Sequence, residues 1–205
     1  MDSKLTDQTR VLMSFGAPIG GFEFAMQLRH DIYQKFGKKP DTDPAFCYLD
    51  AESLRADAKT KYKYDPKSDK YMMSNDEWHA YYESAMKKCG TMILLITKLW
   101  LTSKWCWQEL DMLVSIAEKK KGNLKTIIVM WPDGATLLKS DKWQERQEGG
   151  KARTPKDLLQ RLDKLQNSIY VRVSGSPAIT DGTNTYAYSC SDAEAQTIKA
   201  AVVVS

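Results

Sequence analysis

Histidine is nearly missing from this chain. Only His30 and His79 occur in 205 residues, and neither stands at ligand spacing from a cysteine, which argues against a zinc site and leaves no metal predicted. The four cysteines, Cys47, Cys89, Cys106 and Cys190, are far apart and form no C-x-x-C. They read as reduced thiols rather than as a disulfide framework or a redox motif. No apolar run approaches the roughly 18 residues of a membrane span, and the polar start MDSKLTDQTR carries no signal-peptide core. A cytoplasmic protein without membrane contact is expected. Thirty basic against 26 acidic residues leave a net charge of only +4, so no nucleic-acid partner is implied. The glycines do not spell G-x-G-x-x-G and no P-loop Lys-Ser/Thr follows them, which weakens any phosphate-cradle reading.

What is present suits one elaborated domain spanning 1–205, with a core at about 10–173 and an extension at 174–205. Short apolar runs at Val11 to Phe15, Phe46 to Leu49, Met92 to Ile96, Thr126 to Trp131 and Ile169 to Val173 read as strands, with Met92 to Ile96 a central parallel strand covered on both faces. Helical patterns alternate with them, while Lys98 to Ser103 reads as a loop and the polar, Gly-ended tract Ala135 to Gly150 as an irregular excursion. Phe22 to Phe36 repeats Phe24, Leu28, Ile32 and Phe36 before Gly37. A capping box at Ser74 to Glu77 opens a helix bearing Trp78, Tyr81, Tyr82, Ala85 and Met86, with His79 off that stripe as a surface residue rather than a ligand. Thr154-Pro155 starts one with Leu158, Leu159, Leu162 and Leu165, and Ser191 to Glu194 caps the last. Its apolar tail, Ile198 to Val204, requires a partner surface on the domain or on another copy. Such alternation predicts an α/β fold, a flavodoxin-like doubly wound, mostly parallel five-stranded sheet with helices on both faces.

The most informative stretch is Thr102 to Lys119, TSKWCWQELDMLVSIAEK. At about 100° per residue, Met112, Trp105, Ile116, Leu113, Cys106, Ala117, Leu110, Val114 and Trp107 fall on one arc, and Glu118, Asp111, Ser115, Gln108 and Lys119 fall opposite. Glu109 breaks the pattern. It lies inside the apolar arc, where a lone carboxylate is unfavourable unless something compensates. Two readings stand side by side: a functional carboxylate, or a charge that offsets the helix dipole near an N-terminus.

Ser103, Trp105, Cys106, Glu109 and Leu110 stand as S-x-W-C-x-x-E-L, which resembles the signature of Toll/interleukin-receptor (TIR) domains, including stand-alone microbial members. The resemblance spans roughly Val11 to Val173 and implies the same sheet. In NAD-cleaving TIR proteins the Glu of W-x-x-x-E is catalytic, a role that falls here on Glu109, with Trp105 as an aromatic wall for nicotinamide. Ser14 and Phe15 match the family's strand end beside the substrate, and Asp50 and Leu54 match the start of its mobile loop. Gly16 and Ala17 replace the usual basic pair. The segment Ala58 to Met73, which alternates lysines with tyrosines, has no counterpart in the family. Basic and aromatic residues in alternation can grip a nucleotide, but the composition also fits a solvated excursion around Pro66.

The resemblance therefore implies a glycohydrolase or cyclase with NAD+ as substrate and no cofactor. Its products would be nicotinamide and ADP-ribose or a cyclic isomer. Self-association through TIR–TIR contacts, a downstream effector that senses the product, and a role in immune or antiviral defence belong to the same expectation. The alternative is a non-catalytic TIR adaptor that acts by assembly. A nucleoside deoxyribosyltransferase-like enzyme, with similar sheet topology and a single Glu, is a remoter reading.

Overall fold

The computed structural model describes residues 4–16, 21–48, 64–65, 70–71, 75–175, 178–180 and 185–204. Its centre is one sheet built from Val11–Phe15 (β1), Cys47–Tyr48 (β2), Thr91–Ile96 (β3), Lys125–Met130 (β4) and Ser168–Arg172 (β5), in the order β2-β1-β3-β4-β5. Every neighbouring pair is parallel, with Phe15 beside Leu95 and Ile96 beside Met130. This is the doubly wound α/β fold predicted from the alternation of elements. β3 is buried along its whole length, as a continuous apolar run must be when helices cover both faces.

Among the described residues the helices are α1 (Lys4–Asp7), α2 (Gly21–Lys35), α3 (Asn75–Lys88), α4 (Lys98–Leu101), α5 (Lys104–Lys120), α6 (Pro132–Leu137), α7 (Pro155–Leu162) and α8 (Asp192–Ala201). The pleat of β3 sorts their contacts into two cores. Met92, Leu94 and Ile96 pack with Tyr82, Trp107, Leu110 and Leu158, from α3, α5 and α7. Ile93 and Leu95 face the other way, towards Leu28, Ile32 and Ile198 of α2 and α8. Strand order reverses between β1 and β3, so the crevice at their carboxyl ends is where a doubly wound sheet binds its ligands.

Helix α5 carries the predicted amphipathic pattern. Cys106, Trp107, Leu110, Leu113, Val114, Ile116 and Ala117 are buried together with Glu109, while Asp111, Ser115, Glu118 and Lys119 are exposed. Several other expectations need correction. Lys98 to Ser103, read as a loop, contains the single helical turn α4, capped by Thr97, whose Oγ1 accepts from the N–H of Trp100. Ala135 to Gly150 is not a wholly irregular excursion: α6 starts on Pro132, and Trp143–Gln144 pairs antiparallel with Ala152–Arg153. Leu159 is 56% exposed, because the turn that buries Leu158 and Leu162 points it away. His79, read as a surface residue, is half-buried.

The carboxyl-terminal tail finds its surface on the same chain. Ile198 and Val202 are buried, the Lys35 ammonium donates to the carbonyls of Lys199 (2.7 Å) and Val202 (2.9 Å), and Thr91 Oγ1 donates to Val203 O at 2.7 Å. Val203 and Val204 stay exposed. Within the Lys/Tyr insertion, Tyr64–Asp65 and Lys70–Tyr71 form an antiparallel ribbon. The rest of that tract lies outside the described residues, as do Asp50 and Leu54. Among the described residues no helix is long and apolar enough to cross a membrane, and no group of three potential ligands could hold a metal ion.

All four cysteines are free. Burial pushes the thiols of Cys47 and Cys89 up to about 12 and that of Cys106 well above its usual value. Cys190 is raised to about 11 by partial burial and by nearby carboxylates, chiefly Glu194. Since the thiolate is the reactive form, native protein treated with iodoacetamide at pH 8 should label slowly and at Cys190 first. Cys47, Cys89 and Cys106 should label only after denaturation. Peptide mapping by mass spectrometry checks this, and rapid native labelling of Cys106 would contradict it.

Candidate active site

Two strand ends and the elements that follow them build the site. β1 ends in Ser14 and Phe15; β3 runs out into Thr97, then α4, then α5. Helix α5 begins at Ser103, whose hydroxyl accepts from the N–H of Cys106, as a helix cap does. From that start Trp105 and Glu109 lie one turn apart on the same face. Glu109 is 7% exposed, so its carboxylate sits within the protein rather than over the helix start as a solvated dipole partner.

A directed hydrogen-bond chain holds it. Trp100 Nε1–H donates to Ser14 Oγ at 2.8 Å, and Ser14 Oγ–H donates to Glu109 Oε2. An indole N–H can only donate, so Ser14 must receive it on a lone pair and has one proton left, which the carboxylate takes. Trp100 and Ser14 are 0% and 1% exposed. Ser14, expected beside the substrate, therefore spends its hydroxyl inside the protein, on Glu109. Phe15 is half-buried; its ring lies 6.1 Å from that of Phe22, and its carbonyl accepts the Cys106 thiol at 3.4 Å.

Trp105 is half-buried and stands edge-on to Trp78 at 5.6 Å, with His79 at 6.5 Å. Trp78 in turn stacks on Tyr82 at 5.3 Å, and Tyr82 meets Tyr48 at 6.3 Å. His79 Nε2 lies 3.2 Å from Gln108 Oε1, which pins α3 to the first turns of α5. An aromatic row thus runs from the sheet to Trp105. Rings of this kind offer a planar ligand a stacking face.

Two residues at this rim, Trp100 and Arg146, escaped the sequence reading, and Gly16 has a packing role that it did not show. Trp100 sits in the run K-L-W-L, where one helical turn leaves no periodicity; Thr97 as a capping residue is the only local signal. Gly16 packs directly on α4: a Cβ there would lie 2.7 Å from Leu99 C and 2.8 Å from Trp100 Cα. The absence of a basic residue at that position thereby has a steric cause. Arg146 reaches the rim from the hairpin after α6, donating from Nε to Thr102 Oγ1 (2.9 Å) and from Nη2 to Leu99 O (3.1 Å).

The open groove between α5 and α7, lined by Asp111, Ser115, Glu118, Arg161 and Lys164, lies on the opposite arc of α5 from Glu109. It belongs to a solvated, charged surface.

Comparison with known proteins gives one relative of direct use. The chain is 38% identical over 134 residues to the 3' cyclic ADP-D-ribose synthase HopAM1 of Pseudomonas syringae pv. tomato (strain ATCC BAA-871 / DC3000). The match takes in 63% of this chain and 47% of that protein, so this chain accounts for about half of the relative's length. No family model matches the chain, and no solved structure matches it.

Proposed function

We propose that this chain is a TIR-type NAD+-cleaving enzyme in which Glu109 is the catalytic carboxylate and the product is a cyclic isomer of ADP-ribose. The observation that carries the proposal is Glu109 itself. It is a buried carboxylate at the switch point of a doubly wound sheet, fixed by Ser14 and one turn from a half-buried Trp105. Similarity to a cyclic ADP-ribose synthase supports the substrate class and favours cyclisation over hydrolysis.

The chemistry suits one carboxylate. Ordinary glycosidases use two carboxyl groups because the leaving oxygen must be protonated. Nicotinamide is bound to ribose as a cationic pyridinium, so heterolysis returns the bonding pair to its ring nitrogen and it departs neutral. Positive charge then develops on the ribose, where a fixed carboxylate in a site walled by aromatics stabilises it. A hydroxyl or ring nitrogen of the same molecule closes the new bond to the anomeric carbon. Where a hydroxyl attacks, its proton is released, so NAD+ gives nicotinamide, cyclic ADP-ribose and H+. In this reading Trp105 holds the nicotinamide ring. Phe15, Asp50 and Leu54 border the substrate.

The test is direct incubation with NAD+, following nicotinamide by chromatography and weighing the second product, since a cyclic isomer is lighter than ADP-ribose by one water. No nicotinamide release by concentrated protein would move the assignment to the adaptor. Assembly is part of the proposal, because TIR sites are completed by neighbouring copies, and Tyr170, Val203 and Val204 leave apolar surface exposed. Specific activity should rise with protein concentration from nanomolar to high micromolar while light scattering reports association. A flat profile from a monomer would contradict it. A product that a downstream effector reads, in an immune or antiviral response, is the role this chemistry would serve.

A further inference from the structure

The hydrogen-bond chain to Glu109 begins on a single helical turn, and one turn has little stability of its own because nucleation is unfavourable. What holds α4 in place therefore decides where Trp100 points. At its amino end, Thr97 Oγ1 accepts from the Trp100 N–H (3.1 Å) and Asp133 Oδ2 accepts from the Lys98 N–H (3.1 Å). Its carboxyl end exposes carbonyls with no helical partner, and these are taken largely by a segment more than forty residues away. The backbone N–H of Arg146 donates to Thr102 O at 2.8 Å, its Nε to Thr102 Oγ1 at 2.9 Å and its Nη2 to Leu99 O at 3.1 Å. Trp143 Nε1 donates to Leu101 O at 2.8 Å, an acceptor it shares with Trp107 Nε1 at 2.7 Å. Gln147 Oε1 accepts the N–H of Lys104, the first residue of α5, at 2.7 Å.

The hairpin that makes these contacts is itself anchored. Glu145, buried beside Arg146, accepts from Arg153 Nε at 2.7 Å and from the Lys151 N–H at 2.9 Å. The Arg153 guanidinium lies 4.4 Å from the centroid of Trp107 in the core. A buried, paired carboxylate is an unusual investment for a surface excursion and fixes the hairpin against α5. Burial and the Glu109 carboxylate raise the Cys106 thiol, and the Arg146 cation opposes that shift.

We infer that the hairpin 143–153 is a brace for the active site and that Arg146 is a positioning residue. It acts through α4 and Trp100 on Ser14, and through Ser14 on Glu109. This rests on the catalytic reading of Glu109 for its effect on turnover, but the mechanical link can be read without any activity. A planar fork bridging two acceptors is what Arg provides and a point charge does not.

The experiment compares wild type, Arg146→Ala and Arg146→Lys by NMR exchange of the indole protons, with the Trp100 signal assigned by its loss in Trp100→Phe. Exchange at Trp100 should be at least about tenfold faster in Arg146→Ala, while that of Trp131, on the other face of the sheet, is unchanged. In parallel, kcat for nicotinamide release should fall at least about tenfold with KM within about twofold, as a misplaced catalytic group requires. Arg146→Lys should recover only part of both. In a Trp100→Phe background, Arg146→Ala should then have little further effect on kcat; Ser14→Ala serves as the background if that variant does not fold. Unchanged indole exchange overturns the brace whatever the activity. Faster exchange with full kcat, or additive losses in the double variant, overturns the positioning role. A wild-type protein that releases no nicotinamide defeats the catalytic reading alone, and the exchange result still decides the link between Arg146 and Trp100.

Discussion

Replacing Glu109 by Gln is expected to lower nicotinamide release by at least about a hundredfold, the scale of losing one preorganised electrostatic group. The variant should fold. Glutamine keeps the shape of the side chain and a carbonyl oxygen that can accept from Ser14 Oγ–H, so the chain from Trp100 stays closed. Removing a charge from an interior that is otherwise apolar takes away a desolvation penalty, and sites shaped by function are where such a change stabilises. The melting temperature should therefore be unchanged or higher while turnover collapses. Both quantities come from one pair of purified proteins, by thermal unfolding and by chromatography of nicotinamide. Equal release by wild type and Glu109→Gln would remove Glu109 from the chemistry. A drop in both stability and release would mean that the carboxylate is structural.

The features most legible in the sequence were those whose signal is local. β3 shows as a continuous apolar run because both of its faces are covered, and α5 shows as an arc because only one of its faces is. Glu109 was visible for the same reason: a charge out of place in a periodic pattern needs no knowledge of distant residues. Its partners did not share that visibility. The acceptors of Arg146 are carbonyls and a threonine hydroxyl, and every residue carries a carbonyl, so nothing in the polar tract around 146 points to Leu99 or Thr102. Trp100 reads as one more core aromatic until the crossing of α4 over the end of β1 sets its indole against Ser14. Leu159 failed for a subtler reason: Leu158 and Leu159 both fit an apolar stripe, and only the register set by the Thr154 cap decides which one the core receives.

Gly16 joins these arguments, and substituting it should produce the second large effect. The resemblance to TIR domains makes a basic residue at this position seem like a restoration of missing phosphate contacts. The fold predicts the opposite. A Cβ on residue 16 would stand 2.7 Å from Leu99 C and 2.8 Å from Trp100 Cα, and both are backbone atoms that cannot swing aside as a flexible side chain would. Gly16→Ala must push α4 away from β1. Overpacking of this kind costs about 1 to 3 kcal/mol, and a fall of about 2 to 12 °C in melting temperature is expected for a domain of this size. Turnover should suffer more than stability, because the atoms displaced are those that carry Trp100 and, through Ser14, orient Glu109. A shift of about 1 Å there is worth roughly a hundredfold in rate. Gly16→Lys should be at least as damaging, with no fall in KM for NAD+. Gly37→Ala provides the comparison: its φ of 61° makes it strained, with nothing within 4 Å of an added Cβ, so it should lower stability modestly and leave turnover intact. Gly16 variants that melt and turn over like wild type would show that α4 is free to move, and the close packing of β1 on α4 would then play no part in setting Glu109.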